Sequence, residues 1–208
     1  MPCIPKPEDG FMLFSNAQLR AICLGNGKFE DEYRNSICWE KTIDVYLQNG
    51  GTTINGKQYT VPLILTLKFK DKNGKEYEYR VGEHSIAESM AYLIENTLYK
   101  DVIPKPNNFP YEAVNYICDF LVPGFSSDPI RVIAICDACL MHSFPGLALY
   151  NSLIQLKDKY KDKSPEEVFD LVTGKDIMNL SGAKGKTVQE LYKQFHEIAK
   201  NQMLGYFT

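Results

Sequence analysis

Residues 63–81 read LILTLKFKDKNGKEYEYRV, and this stretch decides the fold. Apolar and polar side chains alternate along 63–70 and again along 76–81, which is the period of a β-strand with one buried face. The segment between the two runs contains aspartate, asparagine and glycine, which favour a turn. The sequence therefore predicts an antiparallel hairpin over 63–82.

The length of the loop sets the register of this hairpin. A two-residue Asn73-Gly74 turn would place Phe69 opposite Glu78, which opposes an apolar to a charged residue. A three-residue loop, with Gly74 in the left-handed conformation, gives one apolar face and one face of opposite charges. The pairs it predicts are Phe69 with Tyr77, Leu67 with Tyr79, Lys68 with Glu78 and Lys70 with Glu76. Because a slip of one residue would exchange the faces, we predict the three-residue loop.

Turn residues extend the sheet, and capping motifs predict helices on both sides of it. Asn55-Gly56 predicts a second, smaller hairpin that starts near residue 52, and Pro62 marks an edge or a bulge. Capping boxes begin at Ser15, Ser85, Ser164 and Thr187, and apolar periodicity predicts further helices over 110–121, 129–142 and 145–161. We therefore predict a helix-rich α+β fold with about seven helices on a small antiparallel sheet.

For two of these helices the sequence also predicts where the helix ends or which face is buried. The first is expected to end at Gly25, because glycine is common directly after a helix. The helix that begins at Ser85 has apolar residues at helical spacing, so they are expected to form its core face. They are Ile86, Met90, Leu93, Ile94 and Leu98.

Length, charge and cysteine content limit the class of protein to which the chain can belong. The 208 residues fit a single domain, with 104–108 as a candidate seam between an N-terminal α/β part and a C-terminal helical part. A formal net charge of −3 argues against a nucleic-acid partner, and no stretch approaches the roughly 20 apolar residues of a membrane span. The six cysteines have no disulfide-framework spacing, and no signal peptide is evident. We expect a cytoplasmic protein, or an effector delivered into a host cytosol.

Cys38 is the sharpest catalytic candidate. Trp39, Ile43, Tyr46 and Leu47 follow it at helical spacing. If Ser36 caps that helix, the thiol lies near a helix N-terminus, which favours a thiolate. A cysteine nucleophile also needs a base, for which we predict His84 or His142. One alternative is a buried cysteine that flanks the core face of the helix. Another is a helix that begins near residues 30–32, in which Cys38 would lie mid-helix and gain no activation.

A metal site and a cofactor site are not predicted. Cys136, Cys139 and His142 lie close in sequence, but their neighbours are apolar, which is typical of core cysteines in a buried helix. We therefore predict an intracellular protein-interaction or regulatory domain without catalysis of its own, whose partner is another protein. The alternative is a cysteine-dependent hydrolase or transferase that uses Cys38 with His84 or His142.

Overall fold

Three antiparallel strands and five α-helices make up the part of the chain that the computed structural model describes, residues 24–25, 38–54, 57–99, 109–142, 144–159 and 163–181. The strands are β1 (Trp39–Ile54), β2 (Lys57–Asp71) and β3 (Glu76–Val81). The helices are α1 (Glu83–Leu98), α2 (Ala113–Leu121), α3 (Pro129–Leu140), α4 (Pro145–Lys159) and α5 (Pro165–Ser181). The α+β class is confirmed. The helices predicted to begin at Ser15 and Thr187 lie outside the described residues, within which five helices are present instead of about seven.

The register of the β2–β3 hairpin is the predicted one. Gly74 has φ +79°, and its N–H donates to the Asp71 carbonyl at 2.9 Å, while the Asp71 N–H donates to the Lys75 carbonyl at 3.0 Å. These bonds enclose a three-residue loop. The resulting pairs are Leu67 with Tyr79, Lys68 with Glu78, Phe69 with Tyr77 and Lys70 with Glu76.

Charge pairing on the outer face of the sheet differs in one respect from the expectation. Both Lys68 and Lys70 pair with Glu76, at 2.9 and 3.2 Å, although Lys68 lies opposite Glu78. The Glu78 carboxylate instead accepts hydrogen bonds from the Tyr46 hydroxyl at 2.9 Å and from the Gln48 amide at 3.1 Å. Both donors belong to β1, so the third strand redistributes the partners of the hairpin.

The helix predicted over residues 39–47 is wrong, because these residues begin β1. Strand β1 pairs with β2 from Trp39, opposite Asp71, to Ile54, opposite Lys57, so the sheet begins at residue 39 and not near 52. Three register shifts interrupt the β1–β2 ladder, and two of them put an extra residue on β1, which breaks the two-residue alternation by which a strand is recognised. The hairpin predicted around Asn55-Gly56 is present, although those two residues lie outside the described part.

Pro62 lies next to one of these bulges, as predicted. Gln48 pairs with Ile64 and Asn49 with Pro62, which leaves Leu63 as the extra residue on β2. A proline has no N–H to donate to the ladder, and it is tolerated beside a bulge because the ladder is interrupted there.

One face of the sheet forms the core with the helices. Phe109 lies between the rings of Phe69 and Tyr79, with centroid distances of 4.6 and 4.8 Å. The Tyr79 hydroxyl bonds to the Ser85 hydroxyl at 2.8 Å, which satisfies both buried groups. Fully buried side chains from the sheet and from four helices complete this core: Leu65, Leu67, Val81, Ile86, Ile117, Ile135, Leu149 and Leu153.

The predicted helix caps are partly correct. At the start of α5 the Ser164 hydroxyl accepts from the Glu167 N–H, and the Glu167 carboxylate accepts from the Ser164 N–H, which is a complete capping box. Ser85 does not cap α1, because the N-cap is Gly82 and Ser85 is buried against Tyr79. Asp128, whose side chain accepts from the first N–H groups of α3, is a cap that the sequence pattern did not reveal.

Contacts divide the chain into two compact units, Met1–Val172 and Thr173–Thr208, and the boundary falls within α5. The seam predicted at 104–108 lies outside the described residues. Of the second unit, the structure describes the helical residues 173–181.

Gly25 meets the end of β3. It has φ +82° and forms an isolated bridge with Val81. A Cβ at this position would lie 2.7 Å from the Arg80 carbonyl oxygen, so both backbone conformation and space require glycine. The helix that it is predicted to end lies outside the described residues.

The Asp71 carboxylate organises the β2–β3 loop. It is buried, and it accepts hydrogen bonds from the Asn73 and Lys75 N–H groups, each at 2.9 Å, and from the Tyr77 hydroxyl at 3.4 Å. Burial alone would raise the pKa of this carboxyl. The hydrogen bonds to Lys75, Asn73 and Tyr77 outweigh it and hold the pKa below its usual value.

We expect Asp71→Asn to lower the free energy of unfolding at pH 7. Because the folded-state pKa of Asp71 is depressed, its stabilisation is present above the unfolded-state value of about 4 and is lost as pH falls through the folded-state pKa. The difference between wild type and Asp71→Asn should therefore narrow below about pH 4 in urea unfolding curves. Asp137→Asn, at an exposed position on α3, is the control. A difference that stays constant with pH would contradict this role of Asp71.

We expect Gly146→Ala to destabilise the protein. In a helix, alanine is normally more stable than glycine by roughly 0.5–1 kcal/mol. Here a Cβ would lie 2.5 Å from the Val81 carbonyl oxygen and 3.3 Å from the Leu65 Cβ, so the first turn of α4 would have to move from the sheet. Thermal unfolding should show a loss of about 1–3 kcal/mol. A higher midpoint of thermal unfolding for Gly146→Ala would mean that Gly146 does not lie against Val81 and Leu65 as described.

Candidate functional site

Cys38 lies immediately before β1, and its side chain is exposed. Its carbonyl oxygen accepts a hydrogen bond from the Lys72 N–H at 3.2 Å, so the residue flanks the β2–β3 loop. Because the following residues form a strand, Cys38 has no helix N-terminus after it, and the expected electrostatic activation by a helix dipole is absent. The alternative of a buried core cysteine is also wrong.

The structure does not bring Cys38 together with His84. Cys38 adjoins the pair Trp39–Asp71, whereas His84 follows Val81, which lies opposite Leu65. From Asp71 to Leu65 is six residues along β2, or about 20 Å of strand. Cys38 therefore adjoins the loop end of the β2–β3 hairpin, and His84 follows its other end, where β3 stops beside the middle of β2.

His142 follows the end of α3. Its N–H donates to the Cys139 carbonyl at 3.0 Å. Four residues further, Gly146 lies against the carbonyl group of Val81, the residue after which α1 begins. The catalytic roles predicted for Cys38, His84 and His142 stay predictions.

The aromatic residue after Cys38 has a structural partner. The Trp39 ring stacks on the Tyr116 ring at 4.0 Å with an interplanar angle of 5°, which joins β1 to α2. The Tyr116 hydroxyl donates to the Glu112 carboxylate, and burial together with this bond raises the pKa of Tyr116. Such a stack accounts for Trp39 as a packing residue between a strand and a helix.

Three cysteines of the helical part are core residues, as their apolar neighbours predicted. Cys118, Cys136 and Cys139 are fully buried and free. Burial raises the pKa of each thiol, so the reactive thiolate is disfavoured. Within the described ranges, no group of three His, Cys, Asp or Glu side chains is placed to hold a metal ion.

The outward side of α1 is the most unusual surface of the described residues. Ile94 is 38% exposed and Leu98 is 68% exposed, one helical turn apart. Ala87 and Ala91 continue the same row towards the N-terminus of the helix. We call these four residues, Ala87, Ala91, Ile94 and Leu98, the outer stripe. Tyr99, which is 58% exposed, follows directly at the end of the helix.

The outer stripe corrects a prediction. Ile86 and Leu93 are buried in the core, as expected for the apolar face of α1, but Ile94 and Leu98 of the same set face outward. The signal was present in the sequence, because the apolar residues of α1 cover a wider arc than one packed face needs. Which part of that arc is buried depends on the position of α3, the helix against which α1 mainly packs.

Acidic residues border the outer stripe. Glu88 and Glu95 are seven residues apart and lie on the same flank of α1. Glu83 is in the first turn, and the segment 83–98 contains neither lysine nor arginine. The outer stripe is therefore an apolar row beside a flank on which Glu88 and Glu95 carry negative charge, with the exposed His84 one turn before Glu88.

Other exposed apolar residues in the described part of α2 to α4 are scattered. Phe120 lies on α2, Ile130 at the start of α3, Met141 beyond the end of α3 and Ile154 on α4. Single exposed apolar residues are normal on protein surfaces, whereas a contiguous set is typical of a contact site. Among the described parts of α1 to α4, α1 alone presents two large exposed apolar side chains one helical turn apart.

Comparison of the chain with protein-family models, with curated proteins and with solved structures gives no significant match. Among the described residues, no helix is both long and apolar enough to cross a membrane. Function is therefore inferred from the placement of the side chains.

We expect iodoacetamide to label Cys38 in the native protein, because this thiol is exposed. Cys118, Cys136 and Cys139 should react only after denaturation, since they are fully buried. Likewise Cys136→Ala should cost about 1–2 kcal/mol of stability, whereas Cys38→Ala should cost less than about 0.5 kcal/mol. Peptide mapping by mass spectrometry and urea unfolding measure the two effects. Native labelling of Cys136 at the rate of Cys38 would contradict the described core.

Proposed function

We propose that this chain is a protein-interaction domain without catalysis of its own, and that it docks its partner on the outer stripe of α1. The observation that carries the proposal is the exposure of Ile94 and Leu98 on one row of the helix. Completing the burial of a leucine or isoleucine that is partly exposed is worth about 1–2 kcal/mol for each side chain. The neighbouring Tyr99, 58% exposed, adds a side chain of a type that is enriched among the residues that dominate binding at interfaces.

The placement of the candidate nucleophile favours this proposal over the cysteine-hydrolase alternative. A cysteine hydrolase needs a base within hydrogen-bond reach of the thiol and a polarising environment for the thiolate. Cys38 precedes a strand at the loop end of the β2–β3 hairpin, and His84 follows the other end of that hairpin, about 20 Å away along β2. Turnover of an ester or peptide substrate by the purified chain, abolished by Cys38→Ala with the fold intact, would reverse this preference.

Site-specific crosslinking tests the proposed surface. A photoreactive phenylalanine analogue at position 94 should crosslink to a defined protein in cells that naturally produce the chain, and the same analogue at position 154 should not. Ile154 is a suitable control because it is 37% exposed on α4, close to the 38% of Ile94.

The crosslinked protein is then purified and its affinity for the chain is measured by calorimetry. Ile94→Asp should weaken binding at least about tenfold, because it places a charge where an apolar contact forms. Ile154→Asp should change the affinity less than about twofold. Equal crosslinking from both positions, or an affinity that Ile94→Asp leaves unchanged, would disprove the outer stripe as the docking surface.

A further inference from the structure

We infer that the partner segment that fits the outer stripe is an amphipathic helix with lysine or arginine beside its apolar face. This inference rests on the proposed function and adds the chemistry of the partner. Two properties of α1 carry it, the shape of the outer stripe and the sign of the charges beside it.

The shape of the outer stripe suits a helix. Backbone groups within α1 are already hydrogen-bonded along the helix, so a partner cannot add to it as a strand adds to a sheet edge. The stripe from Ala87 to Leu98 spans about 17 Å, or three turns. Ala87 and Ala91 are small, which allows a second helix to approach closely, while Ile94 and Leu98 form a ridge that fits between side chains of the partner.

The charges beside the outer stripe select the sign of the partner. Glu88 and Glu95 are separated by two helical turns on one flank, or about 10 Å. A partner helix with basic residues at the same seven-residue spacing can pair with both at once. Pairs of this exposed kind add about 0.2–1 kcal/mol each and accelerate association, while an acidic partner is repelled.

The same charges argue against other occupants. If two copies of the chain packed α1 against α1 in an antiparallel symmetric pair, the flank with Glu88 and Glu95 would face the same flank of the second copy. Phosphate groups of nucleic acids or of anionic lipids would meet the same repulsion. A basic partner helix avoids these like-charge contacts.

Two synthetic peptides test the inference. Both have leucine and alanine at the same apolar positions and a hydrocarbon staple that holds them helical, and they differ in flanking residues, which are lysine in one and glutamate in the other. Fluorescence anisotropy should show that the chain binds the lysine peptide at least about tenfold more tightly than the glutamate peptide. This preference should shrink as the salt concentration rises from about 50 to 300 mM.

Variants of the chain show which part of the surface is used. Ile94→Asp should weaken the lysine peptide about tenfold or more, and Ile154→Asp should have no effect. The double change Glu88→Gln with Glu95→Gln should weaken the lysine peptide about threefold to tenfold and remove most of its salt dependence. Circular dichroism melts of each variant verify that the fold is retained, since all four positions lie at least partly on the surface.

The outcomes separate this inference from the proposed function. If both peptides bind equally and Ile94→Asp weakens both, the docking surface stands and the basic partner is wrong. The inference is overturned if the lysine peptide does not bind, or if neither Ile94→Asp nor the glutamate changes alter its affinity. The docking surface itself is still decided by the crosslinking experiment. A dimer in sedimentation experiments that Ile94→Asp dissociates would identify a second copy as the occupant and also overturn it.

Discussion

Gly74 adopts a left-handed conformation in the loop between β2 and β3, and the arrangement of the sheet depends on the register that this loop imposes. The loop closes on the Asp71 carboxylate, which accepts hydrogen bonds from two backbone N–H groups of the turn. With this register, Phe69 and Tyr79 lie on the face that the helices cover, where both rings meet Phe109. A loop of one residue fewer would turn Glu78 towards the core, and burying an unpaired carboxylate there would be very costly.

The same hairpin determines where α1 begins and which of its sides remains outside. Strand β3 ends at Val81, and α1 starts two residues later with Ser85 bonded to the hydroxyl of Tyr79. This bond and the buried Ile86 turn one side of α1 to the core, where it packs mainly against α3. Ile94 and Leu98 are left on the opposite side. The exposed row is therefore a direct consequence of how the helix is attached to the sheet.

An exposed apolar row with an acidic border has a simple physical meaning. The apolar side chains supply the free energy of contact, and the charges supply orientation and rate. Three cysteines are buried in the core, where burial disfavours the thiolate, while Cys38 is exposed beside the β2–β3 loop. The helical part of the fold thus holds the exposed row of α1 in place, and this row, together with the position of Cys38, is the basis on which we propose interaction rather than catalysis.

Local patterns in the sequence determined the hairpin register, Pro62 at a bulge, the cap at Ser164 and the burial of Cys136 and Cys139. Each of these depends on neighbouring residues or on a strict alternation, which a sequence shows directly. Tertiary structure alone decided that residues 39–54 form a strand, because bulges hide its alternation and pairing with β2 supplies the hydrogen bonds that a helix would have made internally. It also decided which apolar residues of α1 are exposed. Periodicity shows that the apolar residues of α1 cover a wide arc, but only the packing of α3 against α1 decides which part of that arc is buried.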